Sequence, residues 1–264
     1  MIVSTLIFCM LLGCTAGFLA GLLGIGGGLV IVPALVYLLP SLGIQAELVM
    51  PISLATSLAC IMFTTISAAW AHHKNANIPW AIARKLMATI ALGALIGAYI
   101  ADALSSATLT IIFAFAVILL ATYMLLSIRV VKVKPMPSDK IIEAIGLSTG
   151  TIASLMGISG GAILVPVLTY FSMSIRHAIG TATICGFVVA TFGAMGFIIT
   201  GIDQENLPEW SLGYIYLPAL LGVVTTSSLF APLGVKLAGK LPVRTLKKMF
   251  AAFLIVVAIK MIFK

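Results

Sequence analysis

Gly24-Ile25-Gly26-Gly27-Gly28-Leu29-Val30-Ile31-Val32-Pro33 and Gly157-Ile158-Ser159-Gly160-Gly161-Ala162-Ile163-Leu164-Val165-Pro166 are two versions of one phrase. The displacement that superposes them also lays Gly13 on Gly146, Gly17 on Gly150 and Tyr37 on Tyr170. Each copy interrupts an apolar run with glycine backbone. In lipid an unsatisfied N–H or C=O is costly, so bare backbone at membrane depth is expected to meet a polar ligand or water.

The surrounding composition puts the phrase in a membrane. Of 264 residues, 62% are hydrophobic and 8% charged, whereas a soluble domain carries about a quarter charged residues. Apolar runs of spanning length recur along the chain. The net charge of +8 does not point to nucleic acid, because in a membrane protein the position of the charges decides their meaning. Cys9, Cys14, Cys60 and Cys185 all fall in apolar segments and form no Cys-x-x-Cys pair or Cys/His cluster. They read as packed free thiols, and neither a metal nor a cofactor is expected. Leu11-Leu12-Gly13-Cys14 faintly resembles a lipoprotein cleavage site, but no Lys or Arg precedes it. Residues 2–21 are therefore expected to be a retained helix.

Ten apolar segments can be marked, roughly at 2–22, 27–39, 47–71, 80–101, 105–128, 141–156, 161–173, 176–200, 211–235 and 242–263. The second and seventh have only about 13 residues, or roughly 20 Å of helix, against a hydrocarbon core of about 30 Å. They are expected to be short broken helices or arms of re-entrant hairpins, which leaves eight to ten full spans.

Charge placement orients the chain. Lys74, Arg84, Lys85, Arg129, Lys132, Lys134, Lys140, Arg176, Lys236, Lys240, Arg244, Lys247 and Lys248 can all lie on one side, which the positive-inside rule makes cytoplasmic. Glu47, Asp102, Asp203, Glu205 and Glu209 then fall outside, as do both termini; Lys260 and Lys264 are the basic exceptions. Five segments per half is an odd number, so the second half is inverted relative to the first. The expected fold is an all-α polytopic membrane protein of two inverted-topology repeats. Residues 1–128 and 141–264 form the repeats, and the basic stretch 129–140, with Pro135 and Pro137, joins them on the cytoplasmic side.

A helix that begins inside the membrane leaves its first N–H groups without intrahelical partners and carries partial positive charge there. Two such starts make an anion site without a cationic side chain. On this reading Gly24, Gly26, Gly27, Gly28, Gly157, Gly160 and Gly161 bring backbone to a small anionic substrate, and Ser159 adds a hydroxyl. Gly13-x-x-x-Gly17-x-x-x-Gly21 and Gly93-x-x-x-Gly97 instead read as close helix packing. No Gly-Lys-Ser/Thr follows either phrase, and neither lies in a βαβ setting, so nucleotide binding is rejected.

A second pairing sets Ala55-Thr56-Ser57-Leu58 against Gly180-Thr181-Ala182-Thr183, with Cys60 on Cys185. Two readings stay open for Thr56, Ser57 and Thr181: bonding back to their own helix, or donating to the same anion. His72 and His73 end the third segment; they are either a solvated interfacial pair or a gate and proton acceptor. No acid sits at a segment centre, where a proton relay would be expected. A membrane potential negative inside can drive an anion outward without one.

The twin glycine loops, Thr56-Ser57-Leu58-Ala59 and the run Phe63-Thr64 to Ala71-His72-His73 resemble the TauE/SafE sulfite-exporter family. The resemblance covers nearly the whole chain. It implies a bacterial or archaeal cytoplasmic-membrane protein, not an enzyme, that exports sulfite, organosulfonates or related small anions. Gly24, Gly26 to Gly28, Thr56, Ser57, Gly157, Ser159 to Gly161 and Thr181 fall on the family motifs. The chain departs from internal symmetry where Ser57 meets Ala182 and Gly26 meets Ser159. The alternatives are a same-fold transporter of another carboxylate or ion, an anion channel, and a membrane-embedded enzyme or assembly subunit. The last lacks a metal motif or a loop long enough for a catalytic domain. The bilayer is the expected surrounding and nucleic acid is excluded; the oligomeric state is open, a homo-oligomer included.

Overall fold

The computed structural model describes residues 2–23, 26–126, 134–238 and 243–262. Ten helices follow one another: α1 (Ile2–Leu23), α2 (Gly28–Ser41), α3 (Ala46–Lys74), α4 (Trp80–Ala103), α5 (Ser106–Leu126), α6 (Asp139–Leu155), α7 (Gly161–Tyr170), α8 (Ile175–Gly201), α9 (Leu217–Ala238) and α10 (Val243–Ile262). A helix satisfies its own backbone, which is why apolar segments of this kind become helices in lipid. Among the described residues four helices, α3, α4, α5 and α8, are long and apolar enough to cross a membrane by length and composition. The described apolar stretches of the remaining helices are shorter, among them Leu6–Leu19, Leu217–Phe230 and Ala251–Met261. The second and seventh segments are indeed short, with 14 and 10 residues.

The ninth segment departs from expectation. It does not start a helix at residue 211. A two-stranded antiparallel hairpin, β1 (Ser211–Leu212) and β2 (Ile215–Tyr216), comes first. Gly213 at φ 54° opens its two-residue turn, the position where a primed hairpin turn requires positive φ. α9 starts only at Leu217, so the fold is helical with one small sheet.

Helix ends have local causes. α3 stops after Lys74 because Ala76 turns left-handed at φ 52°, letting its amide reach His73 O and the Asn77 amide reach His72 O. α2 stops the same way around Gly43 at φ 79°, with Gly43 N on Pro40 O and Ile44 N on Leu39 O. Both are left-handed endings that use up carbonyls the helix leaves open. α4 begins at a proline cap, Pro79, where the missing amide is no loss.

Five pairings build the bundle: α1 on α9, α4 on α6, α4 on α8, α3 on α8 at the centre, and α5 on α10. The first two are glycine contacts. Gly93 and Gly97 of α4 lie against the Leu147 and Thr151 carbonyls of α6, and Gly146 and Gly150 of α6 lie against Thr89 and Ile90. Gly13 and Gly17 of α1 meet Val223, Thr226 and Ser227 of α9. Small residues let backbones approach where lipid offers no hydrophobic drive to associate. Residues 48–61 of α3 are buried throughout, whereas Ile111, Phe115 and Leu119 line one exposed face of α5, as a lipid-facing stripe would. Cys9, Cys60 and Cys185 are buried free thiols. Lys85 Nζ meets Asp139 Oδ2 at 2.6 Å where α4 and α6 begin, an exposed pair worth at most about 1 kcal/mol.

Gly150→Val tests this packing. A side chain there would strike the Ile90 carbonyl and the Ala94 amide, so the α4–α6 pair must spread. A loss of about 1–3 kcal/mol is expected, read as a lower melting temperature of the detergent-purified protein.

Candidate functional site

The site is built from the two glycine phrases. Gly26 and Gly27 take φ 74° and 80°, and Gly27 caps α2, accepting the Val30 and Ile31 amides at 2.9 and 3.1 Å. Gly160, at φ 70°, caps α7 and accepts the Ile163 and Leu164 amides at 3.0 and 2.9 Å. These left-handed conformations are why glycine stands at both caps. Neither helix start receives a side-chain cap. The amides of Gly28 and Leu29, and of Gly161 and Ala162, have no carbonyl one turn back within their own helix, and the helix dipole is positive there.

The two loops lie against each other. A Cβ on Gly28 would collide with the Gly157 carbonyl and come within 2.9 Å of Ile61 Cδ1. One on Gly26 would stand 2.9 Å from Ser159 Oγ. Ser57 Oγ, on α3, donates to Gly157 O at 2.8 Å and ties the buried middle of α3 to the second loop. Gly186 of α8 fits under Ser159, whose carbonyl is 2.7 Å from where a Cβ would be. Gly160 sits among Thr149, Ala153 and Val189.

Gly26, Gly28, Ser57, Gly157 and Ser159 thus form one cluster, flanked by the caps Gly27 and Gly160 and by Gly161. Gly24 lies outside the described residues. Thr56 faces a different partner: its Oγ1 accepts the Tyr216 amide at 3.0 Å. Thr181 Oγ1 donates to Met173 Sδ at 3.8 Å. His72 and His73 are remote, since His72 lies about 22 Å further along α3 than Ser57 at 1.5 Å per residue. His72 Nδ1 is 3.4 Å from Asn77 Nδ2, and His73 packs edge-on to Trp80 with ring centroids 5.5 Å apart. The hairpin residue Tyr216 and the packing residues Ile61 and Gly186 were missed by sequence reasoning. The alternation Tyr214-Ile215-Tyr216 after Gly213 was the one local signal for the hairpin.

Among the described residues the buried polar side chains are all hydroxyls, such as Thr56, Ser57, Thr149, Ser159 and Thr181; no charged side chain is buried. No three His, Cys, Asp or Glu side chains converge among them as a metal site would need. Among the described residues the cluster has backbone amides and carbonyls and side-chain hydroxyls, and no charged side chain.

Comparison with known proteins assigns the family. The model of the sulfite exporter TauE/SafE family matches residues 9–261. The chain belongs to the TauE/SafE family. A "Probable membrane transporter protein" of Haemophilus influenzae is 45% identical over 98% of both chains. A relative in Methanocaldococcus jannaschii, "Probable membrane transporter protein MJ0441", is 26% identical over 96% of this chain and 94% of its own. Bacillus subtilis YunE, of the same description, is 26% identical over 73% of this chain and 78% of its own. No solved structure matches. With its apolar spanning helices, this TauE/SafE member is a multi-pass membrane transporter.

Ser57 and Thr56 hold structure together and can be tested as such. Ser57→Ala removes the bond to Gly157 and should lower stability by about 1 kcal/mol. Thr56→Val strands the buried Tyr216 amide and should lower it by about 1–3 kcal/mol. Melting temperatures of the two purified variants read out the difference.

Proposed function

We propose that the chain is a secondary transporter that exports a small anion, sulfite or an organosulfonate, by alternating access. The observation that carries this reading is the pair of left-handed glycine caps, Gly27 and Gly160, whose loops abut at Gly28 and Gly157. Two helix starts brought together concentrate positive potential without a cationic side chain. An anion there would be held by the amides following Gly27 and Gly160, with Ser159 as a hydroxyl donor and Thr181 as a second once its hydroxyl turns from Met173 Sδ. Such a site binds strongly enough to select and weakly enough to release.

The repeat plan is part of the proposal: residues 1–128 and 141–264 are inverted copies joined by 129–140. The pairings support it. Exchanging α1 with α6, α3 with α8, α4 with α9 and α5 with α10 turns the α1–α9 contact into the α4–α6 contact, leaves α3–α8 and α5–α10 unchanged, and sends the extensive α4–α8 contact onto the lesser α3–α9 one. An internal two-fold axis produces that pattern. We place the protein in a bacterial or archaeal cytoplasmic membrane with both termini outside. His72 and His73, remote from the cluster, belong to the cytoplasmic gate on this scheme. The acids of the described chain stay at helix ends or in the α8–α9 connection, which favours drive by the membrane potential over a proton relay.

The test has two arms. Sulfite or a simple sulfonate should raise the melting temperature of the purified protein, and Gly160→Val or Thr181→Val should diminish that rise. In proteoliposomes an imposed potential of 100 mV supplies about 2.3 kcal/mol per charge and should drive anion uptake toward the positive side. A thermal response to carboxylates or cations instead of sulfur oxyanions would reassign the cargo. Flux indifferent to potential would remove the driving force proposed here. Unitary currents far above carrier rates would make the protein a channel.

A further inference from the structure

The connection between α8 and α9, residues 202–216, goes where connections seldom go. Loops normally run over the surface. This one ends in a hairpin whose Tyr214, Ile215 and Tyr216 are 3%, 4% and 7% exposed. Its Tyr216 amide bonds Thr56 Oγ1 at 3.0 Å, and Thr56 stands about 15 Å along α3 from that helix's start. The next residue, Ser57, holds the second glycine loop through Gly157. The hairpin therefore reaches inward to within one residue of the cluster.

Three helices grip it. The Tyr214 amide donates to Phe197 O of α8 at 3.3 Å, and the two rings meet edge to face at 6.2 Å. Gly201 and Gly213 lack side chains where the turn passes α8: a Cβ on Gly201 would be 2.6 Å from Tyr214 N, and one on Gly213 2.6 Å from Ile198 O. The Tyr214 hydroxyl donates to Asp102 Oδ1, at the end of α4, at 2.7 Å, and Gln204 Oε1 lies 3.3 Å from that hydroxyl as a second acceptor. Burial, and then the adjoining Asp102 carboxylate, hold the Tyr214 phenol well above its ordinary range, so it remains a donor. The corresponding connection between α3 and α4 is much shorter, residues 75–79, and lies with the Asn77 backbone against Gly180 of α8.

We infer that residues 202–216 are a strap that closes the glycine-loop cluster from the Asp102 face, with Tyr214–Asp102 as its latch and the Tyr216 amide on Thr56 as its seat. Release of the latch lifts the hairpin from between α3, α4 and α8 and opens a route to the cluster from that face. The inference needs the chain to be a transporter, as its family shows, but not any particular cargo.

The test uses accessibility and no cargo, so it fails or succeeds independently of the anion reading. Ala55, fully buried beside Thr56, is replaced by cysteine, and the Ala55→Cys protein is reconstituted in sealed vesicles of known orientation. A membrane-impermeant thiol reagent is added from one side at a time. Adding Tyr214→Phe or Asp102→Ala should speed modification of the introduced thiol about tenfold, the loss expected for a charge-assisted bond. The increase should occur only from the Asp102 face. Asp102→Asn, which keeps an acceptor oxygen but not the charge, should give a rate between the parent and Asp102→Ala. Equal rates with and without the latch overturn the inference. So does acceleration from both faces, or an equal acceleration at native Cys60 and Cys185, which would mark general loosening.

Discussion

Backbone in lipid must find partners, and this chain breaks its backbone twice inside its apolar body. The two breaks solve the problem by adjoining. Gly157 presents its carbonyl to Ser57 and packs that same carbonyl against the bare Cα of Gly28. One contact thereby joins α3, the entry to α2 and the exit from α6. Left-handed caps at Gly27 and Gly160 then redirect the chain into α2 and α7. Any side chain at Gly28 would separate the loops. At the junction stand the first-turn amides of α2 and α7, which have no carbonyl partner within their own helices.

The rest of the bundle keeps that junction in place by closeness instead of polarity. Glycines on α1, α4 and α6 let α1 settle on α9 and α4 on α6 with backbone nearly touching backbone. The central pair, α3 and α8, is held more by bulk and by burial. The arrangement gives two close helix pairs, each joining the first half of the chain to the second, on either side of a central contact.

Much of this was legible in the sequence. The repeated glycine phrase located both chain breaks and the shortness of α2 and α7. The small-residue spacing at Gly13, Gly17, Gly93 and Gly97 identified packing faces. Three things were hidden. The hairpin at 211–216 lies at the start of the ninth apolar segment, and its strands are two residues long, so Gly213 and the alternation after it are a faint signal. Thr56 and Ser57 look like a matched pair of donors, yet each is engaged by a partner far along the chain, the Tyr216 amide and the Gly157 carbonyl. Thr181 looks equivalent to Thr56 by alignment, but Pro79 precedes α4 where Tyr216 precedes α9. A proline has no amide to give, so that residue cannot bond Thr181 as Tyr216 bonds Thr56. Such long-range pairings are tertiary facts that no local pattern encodes.

The absence of buried charge among the described residues has an electrical consequence. On the transport reading proposed above, a core whose described residues carry no formal charge would contribute no side-chain charge movement of its own, and the step that carries a charged passenger would feel the voltage. The full voltage dependence of a transport cycle would then rest on the loaded crossing, while the return of the vacant protein would proceed at the same rate at any potential.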